Sequence, residues 1–287
     1  MAVDYSALKK GGFMRQKQKN CFSMRLHITG GYLSADEVKK VYEIANRYGK
    51  GYVHLTARQG VEIPFIHLDD IDAVKEELSK AGMEQGACGP RVRTVTACQG
   101  SAVCPSALIE TQALAKKLDA RFFRKDLPHK FKIGITGCRN NCLKAEENDL
   151  GIKGGMQPSW NSQECTFCGL CQAVCPVKCI DIDKEGHILK IDKNICNDCG
   201  KCVKACPTGA WSGKSGYLLY FGGMFGNDFH FGSSLLPIIF DEKTLMRVAD
   251  ATIEFFKENG RSSERFAKML ERVGINKLLL KLEEVIA

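Results

Sequence analysis

The chain has 287 residues, of which 44% are hydrophobic and 26% charged, enough to bury one large core or several small ones. It has no run of about 18 apolar residues and no apolar secretory signal, so we expect no membrane partner and a cytoplasmic location. Fifteen cysteines in a reducing compartment favour metal binding over disulfide bonds. The formal net charge of +8 indicates a nucleic-acid or acidic partner, unless bound anionic groups offset it.

Residues 1–85 contain alternating strands and helices in the order β-α-β-β-α, which predicts a ferredoxin-like α+β layer. Apolar residues alternate over 22–28 and predict a strand, and Ser34 and Glu37 form the capping box of a helix that ends near Gly49. The other elements expected here are two strands and a helix, at 52–57, 61–66 and 70–81.

The rest of the chain changes character twice, because residues 158–210 are dense in cysteine and turn residues while their flanks are not. This change of character marks 158–210 as a segment distinct from its flanks. The elements expected in the flanks are a helix at 104–118, a strand at 131–136, strand-like runs within 211–240, and helices at 241–259 and 263–285.

The strongest motif is a run of four cysteines followed by proline, C-x2-C-x2-C-x3-C-P, which occurs at 165–176 and again at 196–207. This doubled spacing is typical of bacterial ferredoxins, in which the fourth cysteine of each run ligates the other [4Fe–4S] cluster. A zinc module is the alternative, but zinc does not require eight cysteines in this pattern. The predicted ligand sets are Cys165, Cys168, Cys171 and Cys206 for one cluster, and Cys196, Cys199, Cys202 and Cys175 for the other.

Two further cysteine pairs, Cys98-x5-Cys104 and Cys138-x3-Cys142, match neither a ferredoxin nor a zinc ribbon. Their arrangement resembles the siroheme–[4Fe–4S] site of sulfite and nitrite reductases. The resemblance implies that these four thiolates hold a third cluster and that Cys142 also bridges to the siroheme iron. The alternative is a group of four buried free cysteines.

The resemblance extends over about residues 20–240 and includes the segment Leu127–Lys132, in which His129 stands where the family usually has arginine. Insertion of a ferredoxin after the second cysteine pair is similar to dissimilatory and anaerobic sulfite reductase subunits and their small archaeal and clostridial relatives. The other matching segments are 22–31, 54–60, 93–98, 149–151 and 222–223.

The fold implied by the resemblance is α+β and has three parts. A ferredoxin-like half-domain occupies 1–85, a siroheme/[4Fe–4S] domain occupies 86–157 and 211–287, and a bacterial-type 2[4Fe–4S] ferredoxin domain is inserted at 158–210. The implied cofactors are siroheme and three [4Fe–4S] clusters. Because these groups are anionic, they offset the excess of lysine and arginine, and we expect no nucleic-acid partner.

The family uses two arginines and two lysines at its anion site, and the matching residues are Arg58, Arg93, Lys130 and Lys132. The two lysines alternate on a predicted strand and so share one face. Solvated surface charge is the alternative for any lone arginine or lysine. Further candidates are Arg25, Arg91 and Arg139 for siroheme carboxylates, and Gln99, Gly100, Asn140 and Asn141 for shaping the cluster loops. Cys21, Cys88 and Cys179 remain, and we expect them to pack as small apolar residues.

The resemblance implies siroheme-dependent reduction of sulfite to sulfide, with nitrite reduction to ammonia at the same site as the nearest alternative. A non-catalytic electron-transfer subunit of a larger reductase is the alternative from another class. No dinucleotide fingerprint is present, so the expected electron donor is a ferredoxin or another reductase subunit. Full-length family members resemble two fused copies of this unit, so a single copy predicts a homodimer or a higher even oligomer.

Overall fold

The structure is a computed structural model that describes residues 3–286, so the outer bounds of the predicted domains, at 1 and 287, lie outside it. An antiparallel sheet with strand order β1-β2-β4-β3 forms the N-terminal layer. Helices α2 and α3 pack with this sheet through a cluster that includes Met24, Ile44, Ile63 and Leu78. The elements are α1 (Tyr5–Lys10), β1 (Phe13–Arg15), β2 (Cys21–Arg25), α2 (Ala35–Tyr48), β3 (His54–Leu55), β4 (Val61–His67) and α3 (Ile71–Lys80).

The predicted capping box of α2 is confirmed. The Ser34 hydroxyl accepts a 3.2 Å hydrogen bond from the Glu37 amide, and the Glu37 carboxylate accepts one of 2.7 Å from the Ser34 amide. This exchange satisfies two amides at the helix start that have no partner within the helix. Helix α1 and strand β1 lie outside the β-α-β-β-α prediction, because each is too short to show a clear period in the sequence.

A mixed sheet with strand order β10-β7-β6-β5 forms the second layer. Strands β5, β6 and β7 are parallel, and β10 runs antiparallel to β7. Four helices contribute to the large apolar cluster that covers this sheet. The elements are β5 (Thr96–Ala97), α4 (Thr111–Phe122), β6 (Ile133–Thr136), β7 (Leu150–Trp160), β10 (Trp211–Phe221), α7 (Glu242–Asn259), α8 (Phe266–Val273) and α9 (Ile275–Ile286).

Two helix predictions in this domain are wrong in their bounds. Residues 104–110 form turns instead of the first part of a helix, and Glu110 begins α4 by accepting a 2.8 Å hydrogen bond from the Gln112 amide. The helix expected at 263–285 is divided into α8 and α9 by Gly274, whose φ of +95° lies outside the helical region.

A small cysteine-rich module, defined as residues 161–210, lies between β7 and β10, which pair along their whole length. Its buried cluster is small and consists of cysteines with a few apolar residues such as Ile180, Leu189 and Trp211. So small a core contributes little stability unless something else cross-links it. The elements of the module are α5 (Leu170–Ala173), β8 (Ile180–Asp183), β9 (Ile188–Ile191) and α6 (Lys201–Ala205).

Within residues 3–286, none of the helices combines the length and the apolar character that crossing a bilayer requires.

Candidate functional site

A cavity lined by cations lies where the N-terminal layer meets the second domain. The layer contributes Arg58 from the turn between β3 and β4, and the second domain contributes the other three predicted residues. Lys130 and Lys132 both line the cavity while Phe131 between them is buried in the core, as their alternation predicts. The cations that line the cavity are Arg25, Arg58, Arg93, Lys130 and Lys132.

The guanidinium of Arg58 is fixed by the second domain. Its Nη1 donates a 2.7 Å hydrogen bond to the Asn148 side-chain oxygen, and its Nη2 donates one of 3.2 Å to the Thr94 carbonyl. Burial, opposed by Asp149 and aided by the nearby Arg93 and Arg265, lowers the pKa of Arg58 to about 10. Arg58 therefore remains charged at neutral pH and faces the cavity in one defined orientation.

Arg93 and Arg25 converge on the buried thiol of Cys88. Arg93 donates hydrogen bonds to the carbonyls of Ala87 and Gly89, and Arg25 forms an ion pair with Glu62. Nη1 of Arg25 lies 3.4 Å from the Cys88 sulfur. Burial lowers the pKa of Arg93, and the Cys88 sulfur partly opposes this change. Cys88 is buried as expected, but it also orients two cations of the cavity wall.

The two lysines have different electrostatic environments. Burial, together with the nearby Arg58 and Arg265, lowers the pKa of Lys132 to about 8. Burial also lowers the pKa of Lys130, and Arg265 and Arg93 make smaller contributions in the same direction. Lys132 therefore carries a proton at neutral pH that it releases more readily than an ordinary lysine does.

Arg265 was not identified in the sequence, because it is far along the chain from every motif. It precedes α8, and its Nη2 lies 3.1 Å from Oδ1 of Asp149, a carboxylate with no exposed surface. Asp149 and Asn148 belong to the 149–151 motif and its neighbour, and they bind Arg265 and Arg58, respectively. Only the conspicuous Asp-Leu-Gly run in the sequence pointed to this segment.

The four cysteines of the second motif lie together. The Cys98 sulfur accepts a 3.0 Å hydrogen bond from the Gly137 amide next to Cys138. Burial raises the pKa of Cys138, and the neighbouring thiols of Cys104, Cys142 and Cys98 raise it further. Cys98, Cys142 and Gln99 line a second cavity, and its wall includes Gln59, the residue that follows Arg58. The Arg58–Gln59 segment therefore connects the cationic cavity with the thiol cavity.

Two glutamines and a threonine hold the backbone that enters this thiol group. Gln59 exchanges two hydrogen bonds with the backbone of Ala97, at 2.9 and 3.0 Å. Gln112 donates to the Cys98 carbonyl at 3.0 Å, and Thr111 donates to the same oxygen at 2.5 Å. The position of Cys98 is thus set by α4 and by the β3–β4 turn, and not by its own loop alone.

Asn141, Asn140 and Arg139 shape the second cysteine loop. Asn141 donates a 2.6 Å hydrogen bond to Glu146 and accepts one of 2.9 Å from the Ala145 amide. The Asn140 amide faces the Cys138 thiol, and Arg139 donates to the Tyr220 hydroxyl.

Arg91 lies in a different environment from the residues that line the cationic cavity. Its Nε forms a 2.7 Å ion pair with Asp126, and Arg91 is not among the residues that line the cationic cavity. The other predicted contacts, Arg25 and Gln99, line the first and the second cavity. Gly100 lies beside Thr111 at the start of α4.

The module brings its eight motif cysteines into two groups. One cavity is lined by the four cysteines predicted for the first ferredoxin cluster, Cys165, Cys168, Cys171 and Cys206. In the other group, burial raises the pKa of Cys202 to about 12, with smaller contributions from the neighbouring thiols of Cys199 and Cys196.

Cys175 and Cys179 meet at this second group. Their sulfurs are 3.5 Å apart, and the Cys179 amide lies 3.3 Å from the Cys175 sulfur. Burial raises the pKa of Cys179 to about 12, and Cys175 and Cys196 add to this rise. Cys179 is buried as expected, but it lies directly beside two predicted ligands.

The donor chemistry of these thiol groups fits iron–sulfur clusters, whose irons are held by cysteine thiolates. Among residues 3–286, no three His, Cys, Asp or Glu side chains are close enough to surround one metal ion. A cubane distributes its four thiolates over four irons, so its ligands lie farther apart than those of a single ion. The cationic cavity likewise fits an anionic group, because arginine binds carboxylates and oxyanions well.

Comparison with known proteins agrees with this geometry. Residues 88–287 match the family described as the nitrite and sulphite reductase 4Fe-4S domain, and residues 14–81 match the nitrite/sulfite reductase ferredoxin-like half domain. The chain belongs to the nitrite and sulfite reductase family. Its 4Fe–4S domain thus includes Cys98, Cys104, Cys138 and Cys142, and its half domain includes Arg58.

Two proteins similar to this nitrite and sulfite reductase family member differ in how much of their own length the chain covers. The chain is 34% identical over 259 residues to a coenzyme F420-dependent sulfite reductase of Methanocaldococcus jannaschii, covering 89% of this chain but 41% of the relative. It is 32% identical over 238 residues to an anaerobic sulfite reductase subunit of Salmonella typhimurium, covering 76% and 69%. The crystal structure of dissimilatory sulfite reductase I has a similar fold, with a TM-score of 0.75, 20% identity and coverage of 92% and 69%.

Proposed function

We propose that the chain reduces sulfite to sulfide at a siroheme coupled to a [4Fe–4S] cluster. The observation that carries this proposal is the meeting of Arg58, Arg93, Lys130 and Lys132 at one cavity. That cavity is joined through the Arg58–Gln59 segment to the cavity of Cys98 and Cys142. A small anion therefore finds positive charge beside the thiols that we assign to the cluster.

The residues of the cavity have separable roles in this proposal. When bound, siroheme supplies an iron that binds the sulfur or nitrogen of the anion and delivers electrons to it. Arg58 and Arg93 stay protonated and offset the charge of the anion throughout. Lys132, with its pKa of about 8, donates a proton from Nζ as an oxygen of the substrate leaves as water, and Lys130 assists from the same face.

We assign three [4Fe–4S] clusters to the chain. Cys98, Cys104, Cys138 and Cys142 would hold the cluster next to siroheme, and Cys142 would also be the residue that binds the siroheme iron. The module is in this proposal an inserted 2[4Fe–4S] ferredoxin domain, and its small core agrees with stabilisation by clusters. The domain division is that expected from the sequence, with 1–85, 86–157 and 211–287, and 158–210 as its parts.

The group Cys196, Cys199, Cys202 and Cys175 is in this proposal the last step of the relay before the siroheme-linked cluster. One hydrogen bond and one electrostatic effect support this order. Lys204, two residues after Cys202, donates a 2.8 Å hydrogen bond to the carbonyl of Pro105, which follows Cys104. Burial raises the pKa of Asp198, and Arg139, which follows Cys138, opposes that rise. The other group, which includes the exposed Cys168, then receives electrons from the donor.

The donor in this proposal is a ferredoxin or another reductase subunit, since the relatives include a protein named as one subunit of an anaerobic sulfite reductase. We also propose a cytoplasmic location and an even-numbered oligomer of this chain. Exposed apolar residues of the N-terminal layer support the oligomer, among them Tyr42 at 66% and Leu55 at 73% exposure. Leaving such a surface in water is unfavourable by about 25 cal/mol per Å².

The residues of the cationic cavity bear on two alternatives. Nitrite is the second candidate substrate, because both anions are small and the cavity's arginines and lysines suit either one. A non-catalytic electron-transfer subunit would keep the module but would not need both Lys130 and Lys132 beside Arg58.

Anaerobic turnover by the holo-protein with reduced methyl viologen tests the proposal. Sulfite and nitrite are supplied separately, and sulfide and ammonia are measured as products. We expect faster sulfide formation from sulfite. Faster ammonia formation would establish the nitrite reductase, and the absence of both products from siroheme-loaded protein would establish the electron-transfer subunit.

A further inference from the structure

Asp149 is the carboxylate behind the cationic cavity. It has no exposed surface, and its Oδ2 accepts a 2.9 Å hydrogen bond from the backbone amide of Lys132. Its own backbone carbonyl accepts a 2.9 Å hydrogen bond from Gly222. The Lys132 amide therefore holds the carboxylate, and the Gly222 amide holds the backbone of the same residue, so Asp149 cannot move away from Lys132 without breaking a hydrogen bond.

Arg265 approaches the same carboxylate from the C-terminal helices. Its Nη2 lies 3.1 Å from Oδ1 and 3.3 Å from Oδ2 of Asp149, and its side chain is 12% exposed. Its Nε is buried and has no hydrogen-bond partner in the described part of the chain. The pair joins positions 116 residues apart and connects the start of α8 to Asp149, which accepts a hydrogen bond from Lys132, the residue just before β6.

Positively charged groups outnumber negatively charged ones around Lys132 and the Asp149–Arg265 pair. Arg58, Arg265 and Lys130 face Lys132 together with Asp149, which supplies the negative charge among these groups. Arg93 and His129 are also close enough to be affected by Arg265. Burial raises the pKa of Asp149, and Arg265 and the Lys132 amide oppose that rise. Asp149 attracts the ammonium group of Lys132, whereas Arg265 repels it.

We propose that Asp149 and Arg265 are a positioning pair that sets how strongly Lys132 holds its proton in the cationic cavity. This inference rests on the proposed function and names two further residues that serve it without touching the anion. Asp149 favours the protonated lysine, and Arg265 favours the neutral lysine. Removing either member alone therefore changes the proton affinity of Lys132, and the two changes have opposite signs.

The chain contains a matched control pair. Arg121 binds Asp250 with two hydrogen bonds of 2.7 Å, from Nε and from Nη2, on the outer surface of α4 and α7. Neither residue lines the cationic cavity. Arg121→Gln and Asp250→Asn therefore make the same charge changes as Arg265→Gln and Asp149→Asn at a site remote from Lys132.

The first readout is the pH dependence with which a small amine reagent modifies Lys132 in the holo-protein, measured by mass spectrometry. Only the neutral amine reacts, so the midpoint reports the pKa of Lys132, which is about 8 in the parent chain. We expect Asp149→Asn to lower this midpoint and Arg265→Gln to raise it, each by about one pH unit. Arg121→Gln and Asp250→Asn leave it unchanged.

Arg265→Lys keeps the positive charge and should keep the parent midpoint, which separates charge from packing. If Asp149→Asn does not fold, the midpoints of Arg265→Gln and Arg265→Lys are compared instead. A midpoint that is raised in Arg265→Gln and unchanged in Arg265→Lys supports the positioning pair. Unchanged midpoints, or shifts of one sign in both variants, would overturn the positioning pair even if the chain reduces sulfite. Opposite shifts in a chain that does not reduce sulfite would instead contradict the proposed function and leave the pair intact.

Discussion

The 2.7 Å hydrogen bond from Arg58 to the side chain of Asn148 joins two residues 90 positions apart and links the two layers of the fold. Asn148 is 4% exposed, and its amide nitrogen donates to the carbonyls of Lys144 and Ala145 at 3.3 and 3.2 Å. The orientation of Arg58 thus depends on a loop of the other domain. The cationic cavity is consequently complete only when the N-terminal layer is packed against the second domain.

Asn148→Ala should lower kcat/KM for sulfite by roughly 10-fold to 100-fold, because a hydrogen bond to a charged group contributes about 1.5–3 kcal/mol. Steady-state kinetics and the visible spectrum of the variant provide the measurement. Asn161→Ala is the control, since Asn161 caps only an exposed turn through the Gln163 amide at 3.1 Å. Parent kinetics in Asn148→Ala would show that Arg58 does not need this contact.

Lys130→Ala and Lys132→Ala should each reduce the turnover of sulfite by a factor of about 10²–10³, because each removes a cation that faces the anion. Cluster and siroheme spectra should be retained. Lys144→Ala is the control, because Lys144 is exposed and its nearest acidic partner is 3.9 Å away. Parent turnover in either cavity variant would exclude that lysine from the chemistry.

The rate of sulfite reduction should fall as the pH rises through about 8, where Lys132 loses its proton. The sign follows from the role of the lysine, since only its protonated form, present below this pKa, can donate a proton. A pH profile of kcat for the parent chain and for Lys132→Ala is the measurement. The alkaline decline should be absent from the variant, and its persistence there would assign the decline to another group.

Anaerobically purified protein should contain about twelve irons in clusters and one in siroheme. Cys202→Ala should lose about four of these irons, because Cys202 lies among the thiols of one predicted ligand set. Cys21→Ala belongs to none of the sets and should lose no iron. Iron and zinc analysis decides the matter, and a zinc-loaded protein without siroheme absorption would end the assignment.

Lys204→Met should slow reduction of the siroheme-linked cluster by the donor, because it removes the contact with Pro105 that joins the module to the Cys104 loop. Stopped-flow absorbance and electron paramagnetic resonance of the reduced protein report this step without substrate. Lys184→Met is the matched control, since Lys184 packs near Gly169 within the module. Equal rates in both variants would argue against entry through this junction.

Light scattering of the holo-protein should give a mass of twice that of one chain, or a higher even multiple. The reason is the exposure of apolar side chains of the N-terminal layer, among them Tyr42 and Leu55. Leu55→Lys should shift the population toward the monomer, with Lys17→Glu, a surface charge change, as the control. A monomeric parent protein with full siroheme and full activity would exclude the oligomer.

The cysteine sets could be predicted from the sequence because a cluster imposes short, regular gaps on its ligands. Local rules were also sufficient for α2, whose capping residues lie three positions apart, and for the shared face of Lys130 and Lys132. They failed at 104–110, where turns around Cys104 displace the start of α4, and at Gly274, which divides the last helix. At both places the backbone follows tertiary contacts or a single glycine instead of side-chain periodicity.

The sequence by itself therefore predicted the cysteine ligand sets and determined which four cations line the cavity. Only the tertiary structure decided that Asn148 and Asp149 hold Arg58 and Arg265, that Cys88 contacts Arg25, and that Arg91 lies apart from the cavity. These contacts join residues up to 116 positions apart and leave no local pattern. Which charged side chains come into contact depends on how the two layers pack against each other. That packing is set by the core as a whole and not by any local segment.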